Sequence, residues 1–524
     1  MKIAILLAGL CLTVGVARAD DVRDTACKTT AECIAEANRL RGVSTRDETS
    51  AMARVQDQFY WMNRINMAST VMLIEKGIIP APMVKPVAEG VRYAIVQATQ
   101  PGGKRPVDVL QLERIISEKS GPEATLVHTG RSRQDMNAAI RAMRLRRAVL
   151  DTAEVLISTR AQLIDIAARH TETFVPAYTN GVQAQPITYG HYLMAFADSF
   201  ARDAQRLRDL YPRLNLSPMG TAVLANSSWP LDRPRLADLL GFDGLVVNSF
   251  DSSQVISMDV PLEAAAIMSS LAIRIGSMLQ DIHTQYHQSN PWLLLDAGQT
   301  YTSSSMPQKA NPGVLMTARA KASDIIAANQ MILLRNHNVT PGMTDYKASG
   351  DASRIFIMSV ELLNQFNGVM KGLAVNGKRS LEELNGDWTT SMELAETLQR
   401  LHGVPFRIGH HFASLVVTQA RKSNLLPDQF PYQEGVKLYS EATRHYKWAP
   451  TSLPIDEKTF KATLSPEMMV RTRVGIGGPQ PAEVQRMIGI AREVLTKDRA
   501  WVEERNNKLL EAEARLNSAF ARHL

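Results

Sequence analysis

The residues best suited to chemistry in this chain are three consecutive serines, Ser303, Ser304 and Ser305, followed by Lys309 and Asn311. A run of hydroxyls has no use in a packed core. A serine hydroxyl acts as a base or nucleophile only as its alkoxide, which needs a positive, partly desolvated setting. Lys309 supplies one fixed cation near the serines, and Asn311 an amide. Pro307, Pro312 and Gly313 stop a helix from running through the segment. Helical patterns lie on both sides, so residues 300–313 read as a functional loop on a rigid scaffold.

The elements that must hold this loop are helices. Ala, Leu, Ile, Met, Arg and Glu abound while aromatics make up 6%, a balance that favours helix. Helices are predicted over residues 55–77, 85–98, 107–119, 188–211, 233–240, 262–288, 314–338 and 351–371. Residues 131–175 hold neither Gly nor Pro, and Leu150, Val155, Leu156, Leu163 and Ile166 fall on one helical stripe. Arg144, Arg146 and Arg147 in that stretch read as a solvated face. Residues 178–186 break the pattern, and 212–258 are rich in Pro, Ser and Asn. Long helices with shared apolar stripes imply a bundle, not a sheet. The chain divides into a leader at 1–19, an N-terminal helical domain at 20–130, a long-helix bundle at 131–380 and a smaller domain of shorter helices at 381–524.

Hydrophobic residues at 45% and charged residues at 21% describe an ordinary soluble chain. The net charge of +7 falls to +5 once Lys2 and Arg18 of the leader are removed. No basic face interleaved with aromatics is seen, so no nucleic-acid partner is expected. Mild positive charge suits a small anionic substrate. Lys2, the apolar run 3–16 and Ala17-Arg18-Ala19 before Asp20 predict a cleavable secretory signal and a periplasmic or secreted protein. Leu10 before Cys11 disfavours a lipoprotein anchor. No later stretch reads as a membrane span, and no membrane partner is expected. Cys27 and Cys33 either pair in an oxidising compartment or stay as free thiols. His410-His411 point two ways on a helix and make no metal site. With no ligand cluster, Walker loop or dinucleotide glycine pattern, neither metal nor cofactor is expected.

Three segments together resemble the argininosuccinate lyase branch of the fumarase/aspartase superfamily. His128-Thr129-Gly130-Arg131-Ser132-Arg133-Gln134-Asp135 is close to that family's HTGRSRND. Ala184-Gln185-Pro186-Ile187-Thr188-Tyr189-Gly190-His191 is close to AQPITxGH. The serine segment, Thr302 to Pro312, is close to GSSxMPQKxNP. Gly403-Val404-Pro405-Phe406-Arg407, Asp243-Gly244 and Gly477-Gly478-Pro479 also fit, so the likeness covers nearly the whole mature chain. It implies an all-α, three-domain fold with a long central helical bundle, a twenty-helix core in a homotetramer, and active sites shared by three subunits. The implied reaction is anti β-elimination from an N-substituted aspartate, giving fumarate and an amine.

By that resemblance Ser304 is the base, while Lys309 and Asn311 hold the carboxylate beside the acidic carbon. Ser132, Arg133 and Gln134 grip the succinyl carboxylates, with Thr179 assisting. Ser303 and Ser305 read equally as substrate contacts or as plain loop polarity. His191 and Gln185 read as structural. The family's acid histidine, in a Tyr-Thr-His segment, matches Tyr178-Thr179-Asn180, and Asn180 can donate a hydrogen bond but cannot shuttle a proton. Gln134 stands for the family's Asn and Ala310 for its Lys. The run that recognises the arginine part does not match Thr344-Asp345-Tyr346-Lys347 and Asp351, and the early Ser-x-Ala-His is missing around Asn66 to Ser69. The amine side of the site has thus changed. A true argininosuccinate lyase, or a silent dicarboxylate- or amino-acid-binding protein, are the alternatives.

Overall fold

The computed structural model describes residues 55–342, 352–447 and 450–524. The leader, Cys27, Cys33, residues 344–347 and Asp351 lie outside the described residues. Chain contacts define two compact units. One takes residues up to Ile140, with Ser217–Phe250 and Glu511–Leu524; the other takes Arg141–Leu216 and Asp251–Leu510. The cuts differ from the three consecutive segments expected from sequence, because distant stretches of chain complete the first unit.

In the first unit, α1 (Gln58–Glu75) starts where the Asp57 side chain accepts the Tyr60 N–H at 2.9 Å. Its Met62, Ile65, Val71 and Leu73 are buried. Helices α2 (Val84–Thr99) and α3 (Val109–Ser120) follow, and α3 is capped by Asp108. The first turns of α4 (Arg133–Arg169) belong here too.

The second unit is the helical bundle. The rest of α4 shares one apolar core with α5 (Tyr189–Leu214), α8 (Ile256–Thr284), α9 (Gly313–Asn336), α10 (Ala352–Lys371) and the part of α17 (Pro481–Ala521) that precedes Glu511. Leu156, Phe200, Leu271, Ile275, Ile325, Phe366 and Ile488 are buried there. In the first unit, α6 (Arg233–Leu239) lies between α5 and α8 in sequence, followed by the single turn α7 (Asp251–Gln254) of the second unit. Beyond α10 come α11 (Gly377–Asn385), α12 (Ser391–His402), α13 (Phe406–Lys422), α14 (Tyr432–Thr443), α15 (Glu457–Thr463) and α16 (Pro466–Arg471). Several of these close on a satellite core around Phe412, Phe430, Tyr439 and Phe460.

Three sequence readings need correction. The C-terminal segment holds α17, whose 41 residues make it the longest helix among those described; beyond Pro481 it contains one glycine and no proline, so nothing interrupts it. Arg146 is buried and donates to Asn215 Oδ1 at 2.8 Å, so it is not part of a solvated face. One stretch, Ile256–His287, is long and apolar enough to cross a bilayer. Its Ile267, Leu271, Ile275, Leu279 and Ile282 line the bundle core.

Strands are few. Among the described residues they form four two-stranded ladders. β1 (Phe174–Thr179) pairs with β2 (Val182–Thr188), and β5 (Leu293–Leu295) with β8 (Leu373–Val375). β6 (Tyr301–Thr302) pairs with β7 (Ala310–Asn311), while β3 (Leu216–Ser217) and β4 (Gly244–Leu245) are short. Two of these ladders carry the expected site residues.

Candidate active site

The first motif turns the chain into α4. Ser132 accepts the Gln134 N–H on its hydroxyl at 3.3 Å, and Asp135 accepts the Ser132 N–H at 2.7 Å. This reciprocal cap satisfies donors that a helix start leaves unpaired. Gly130 has φ +68°, and a Cβ there would come within 2.7 Å of the Leu231 side chain, so both backbone conformation and space favour glycine. Arg131 is a structural residue: it donates to Asn66 Oδ1 at 2.6 Å and to Ser69 Oγ at 2.9 Å. Those are the positions where the family's early motif is missing. Arg133, in contrast, is exposed at the first helical position. Ser132, Arg133 and Gln134 are therefore gathered at the N-terminus of a 37-residue helix, whose dipole favours an anion.

The second motif is a β-hairpin that the sequence reading took for a simple break. Asn180 (φ +53°) and Gly181 (φ +78°) form its two-residue turn. Positive φ at both central positions is the type I′ pattern, which strongly prefers Asn-Gly. Asn180 at the family's histidine position thus has a backbone reason of its own. Thr179 and Asn180 are exposed at the tip. Just behind them, Tyr178 OH donates to Glu383 Oε1 at 2.9 Å. Burial, and then the Glu383 carboxylate, hold that phenol above its ordinary pKa, so it remains a donor. At the end of β2, Thr188 caps α5 by accepting the His191 N–H at 3.2 Å. His191 Nε2 lies 3.0 Å from the Gly477 carbonyl, and Glu483 accepts the Gly477 N–H at 2.6 Å. The histidine therefore links its motif to the Gly477-Gly478-Pro479 turn, a positioning role.

The serine segment is a short hairpin, not a featureless loop. Tyr301 pairs with Asn311 and Thr302 with Ala310. The Ser303 N–H donates to the Lys309 carbonyl at 3.3 Å. The Ser303 hydroxyl accepts two backbone donors, Met306 N–H at 3.2 Å and Ser305 N–H at 3.4 Å. Asn311 Nδ2 donates to the Tyr301 carbonyl at 3.3 Å, which commits one of its two amide hydrogens. Ser304, Ser305 and Lys309 are exposed. Gly313 starts α9 where a Cβ would meet the Tyr301 ring at 2.9 Å.

The expected residues thus fall into three clusters. Ser303, Ser304, Lys309 and Asn311 share one hairpin; Thr179 and Asn180 share another tip in the same unit; Ser132, Arg133 and Gln134 belong to the first unit. The serine hairpin offers hydroxyls, two amide donors on one of them, and an ammonium. That set suits removal of a weakly acidic proton and stabilisation of the resulting anion. Among the described residues no group of three or more His, Cys, Asp or Glu could hold a metal ion. Sequence reading missed Glu383, whose partners other than Arg379 are far from it along the chain.

A family model described as a lyase matches residues 97–327. The chain is 30% identical over 460 residues to the argininosuccinate lyase of Methanocaldococcus jannaschii, covering 85% of this chain and 90% of that protein. Over 403 residues it is 32% identical to the argininosuccinate lyase of Methanospirillum hungatei, covering 74% and 76% of the two chains. An EDDS lyase variant with bound fumarate superposes with a TM-score of 0.79 at 29% identity, covering 94% of this chain and 95% of that one. The 3-carboxy-cis,cis-muconate lactonizing enzyme from Pseudomonas putida shares the fold, with a TM-score of 0.64 at 18% identity over 85% of this chain and 97% of that one.

Proposed function

The chain belongs to the argininosuccinate lyase family of the fumarase/aspartase superfamily, and on that premise we propose that its substrate carries an amine other than the arginine moiety. It is a carbon–nitrogen lyase that cleaves an N-substituted aspartate to fumarate and an amine. A base takes the proton from the carbon beside one carboxylate. That electron pair forms the double bond of fumarate, and the bond from the neighbouring carbon to nitrogen breaks, sending its pair to the departing amine.

Proton abstraction falls to the serine hairpin. Ser304 holds the expected motif position and is exposed. Its neighbour Ser303 has the two amide donors that stabilise an alkoxide, so its oxygen is the better prepared of the pair. Lys309 and Asn311 hold the carboxylate beside the acidic carbon. Ser132, Arg133 and Gln134 hold the succinyl carboxylates at a helix start, with Thr179 beside Asn180 toward the leaving nitrogen. Asn180 donates a hydrogen bond but no proton; the nitrogen enters the elimination already protonated, as a secondary ammonium, and leaves as the neutral amine.

The observation that carries this reading is the amide-bound hydroxyl of Ser303 on the same short hairpin as Lys309. The amine-side departures, Asn180 first among them, separate the substrate from argininosuccinate. A homotetramer with shared active sites is part of the same proposal; Met316, Met331 and Leu334 on α9 and Ile357 on α10 are exposed in the single chain and suit helix-to-helix association. So is export to the periplasm, on the strength of the leader. Purified protein given a panel of N-substituted aspartates, or fumarate with amines, should change the absorbance of fumarate. No change across the panel overturns the proposal.

A further inference from the structure

One half-buried carboxylate collects donors from four directions behind the β1–β2 tip. Glu383 Oε1 accepts from Tyr178 OH at 2.9 Å, Gln288 Nε2 at 3.3 Å and Gln183 Nε2 at 3.5 Å. Arg379 donates to Oε2 at 2.9 Å. Tyr178 and Gln183 are register partners, the last pair before Thr179 and Val182 at the turn. Both strands are therefore tied to one anchor immediately behind the tip.

The anchor is itself fixed. Glu383 lies on α11, whose Asn376 cap accepts the Arg379 N–H at 3.0 Å. Ser380 Oγ donates to the Phe174 carbonyl at 2.7 Å, joining α11 to the start of β1. Phe174 and Leu384 are buried against each other with Val470. Arg379 Nε also donates to the Asn290 carbonyl at 2.8 Å, which restrains the guanidinium that neutralises Glu383. The hairpin is held at its root by packing and near its tip by a charge-assisted network, the stronger kind of hydrogen bond.

We propose that Glu383 is a positioning residue, which fixes the angle of the β1–β2 hairpin and so sets where Thr179 and Asn180 meet the leaving nitrogen. This rests on the reading of that tip as part of the lyase site. A hairpin tip extends beyond its last restraint, so a small rotation at Tyr178 and Gln183 displaces Asn180 by more. Displacements near 1 Å at a reacting centre cost up to about a hundredfold in rate. The charged grips on the carboxylates, Arg133 and Lys309, belong to other segments, and of the carboxylate contacts only the assisting Thr179 is at this tip, so binding changes little.

The test compares Glu383→Gln, Tyr178→Phe and the double variant in the addition of amine to fumarate, with Thr179→Ala/Asn180→Ala alongside. Each single variant should lower kcat about tenfold or more while the KM for fumarate stays within about twofold. The double variant should be no worse than the weaker single by more than about twofold, because both act through one link. Hydrogen exchange at the amides of residues 179–183 should quicken in Glu383→Gln. Unchanged kcat, additive losses or unchanged exchange overturn the proposal. Tyr178→Phe removes one hydroxyl only, and decides the matter if Glu383→Gln does not fold. If Thr179→Ala/Asn180→Ala is as active as wild type, it is the reading of the tip as catalytic that fails; the exchange measurement then still decides whether Glu383 fixes the hairpin.

Discussion

The Arg131 guanidinium lies against the His128 ring, with Nη2 2.9 Å from Nδ1. Burial, and then the Arg131 charge, push the His128 pKa down to about 2. The Glu113 carboxylate 3.9 Å from Nε2 does not reverse this, because burial and the Arg131 charge act together. The folded chain thus keeps the ring neutral, while the unfolded chain protonates it near 6.5. Below that pH the unfolded state binds the extra proton. His128 therefore contributes stability that is fully present above pH 6.5 and is lost as pH falls toward 2, at up to about 1.4 kcal/mol per pH unit. Urea unfolding at pH 7.5, 6 and 5 should show a steeper loss in wild type than in His128→Gln. Parallel slopes would remove His128 from the acid sensitivity.

The two adjacent serines separate on substitution. Ser303→Ala removes the hydroxyl that holds two amide donors and should lower kcat by about 10³-fold, within the range of a lost general base. Ser304→Ala should cost about tenfold or less. KM for fumarate should move little in either case, since Lys309 and Arg133 remain. Steady-state fumarate absorbance measures both. The opposite ranking would place the base on Ser304.

Asn180 answers to both backbone and chemistry. At φ +53° a β-branched residue is strained by about 1–2 kcal/mol, so Asn180→Val should lower the unfolding free energy while Asn180→Gly should not. Histidine tolerates this region better than most residues. Asn180→His should therefore fold, speed cleavage of poorly leaving amines by about 10²-fold, and add a titration near neutral pH to the rate profile. A pH profile identical to wild type would mean the tip does not face the leaving nitrogen.

Most of the scaffold was legible because amphipathic helices write their period into the chain. The predicted helices at 188–211 and 314–338 correspond to Tyr189–Leu214 and Gly313–Asn336. The β1–β2 hairpin was not legible from alternation: Phe174, Val175 and Pro176 are buried in succession, and prolines stand in both strands. Its one clear signal was the Asn180-Gly181 pair. Arg146 misled because its burial depends on Asn215, 69 residues away. Glu383 left no trace for a similar reason: Tyr178 is 205 residues and Gln288 95 residues distant along the chain. The serine segment's residue types announced chemistry, but which hydroxyl carries amide donors depends on a turn that residue types alone do not specify.

Charge at the carboxylate grips should govern binding. On the proposed reading, Arg133→Leu and Lys309→Met should each remove a charge-assisted hydrogen bond to the substrate, worth about 1.5–3 kcal/mol. KM for fumarate should rise about tenfold to a hundredfold in each, and added salt should raise it less than in wild type. Isothermal titration with fumarate provides the check. Unchanged affinity in Arg133→Leu would take the α4 N-terminus out of the site.

Two glycines in helices should respond to alanine with opposite signs. Gly190 opens α5 against the end of α4, where a Cβ would stand 2.7 Å from the Ala167 carbonyl and 3.1 Å from that of His170. Backbone atoms on both sides cannot move aside cheaply, so Gly190→Ala should destabilise by about 1–3 kcal/mol. Gly489 lies inside α17, and among the described residues nothing beyond its own helix backbone lies within 4 Å of where a Cβ would stand. There the substitution only reduces the freedom of the unfolded chain, and Gly489→Ala should stabilise by about 0.5–1 kcal/mol. Calorimetric midpoints for the pair should bracket wild type. A loss in Gly489→Ala would reveal a neighbour at that face which the single chain lacks, as association through α17 would supply.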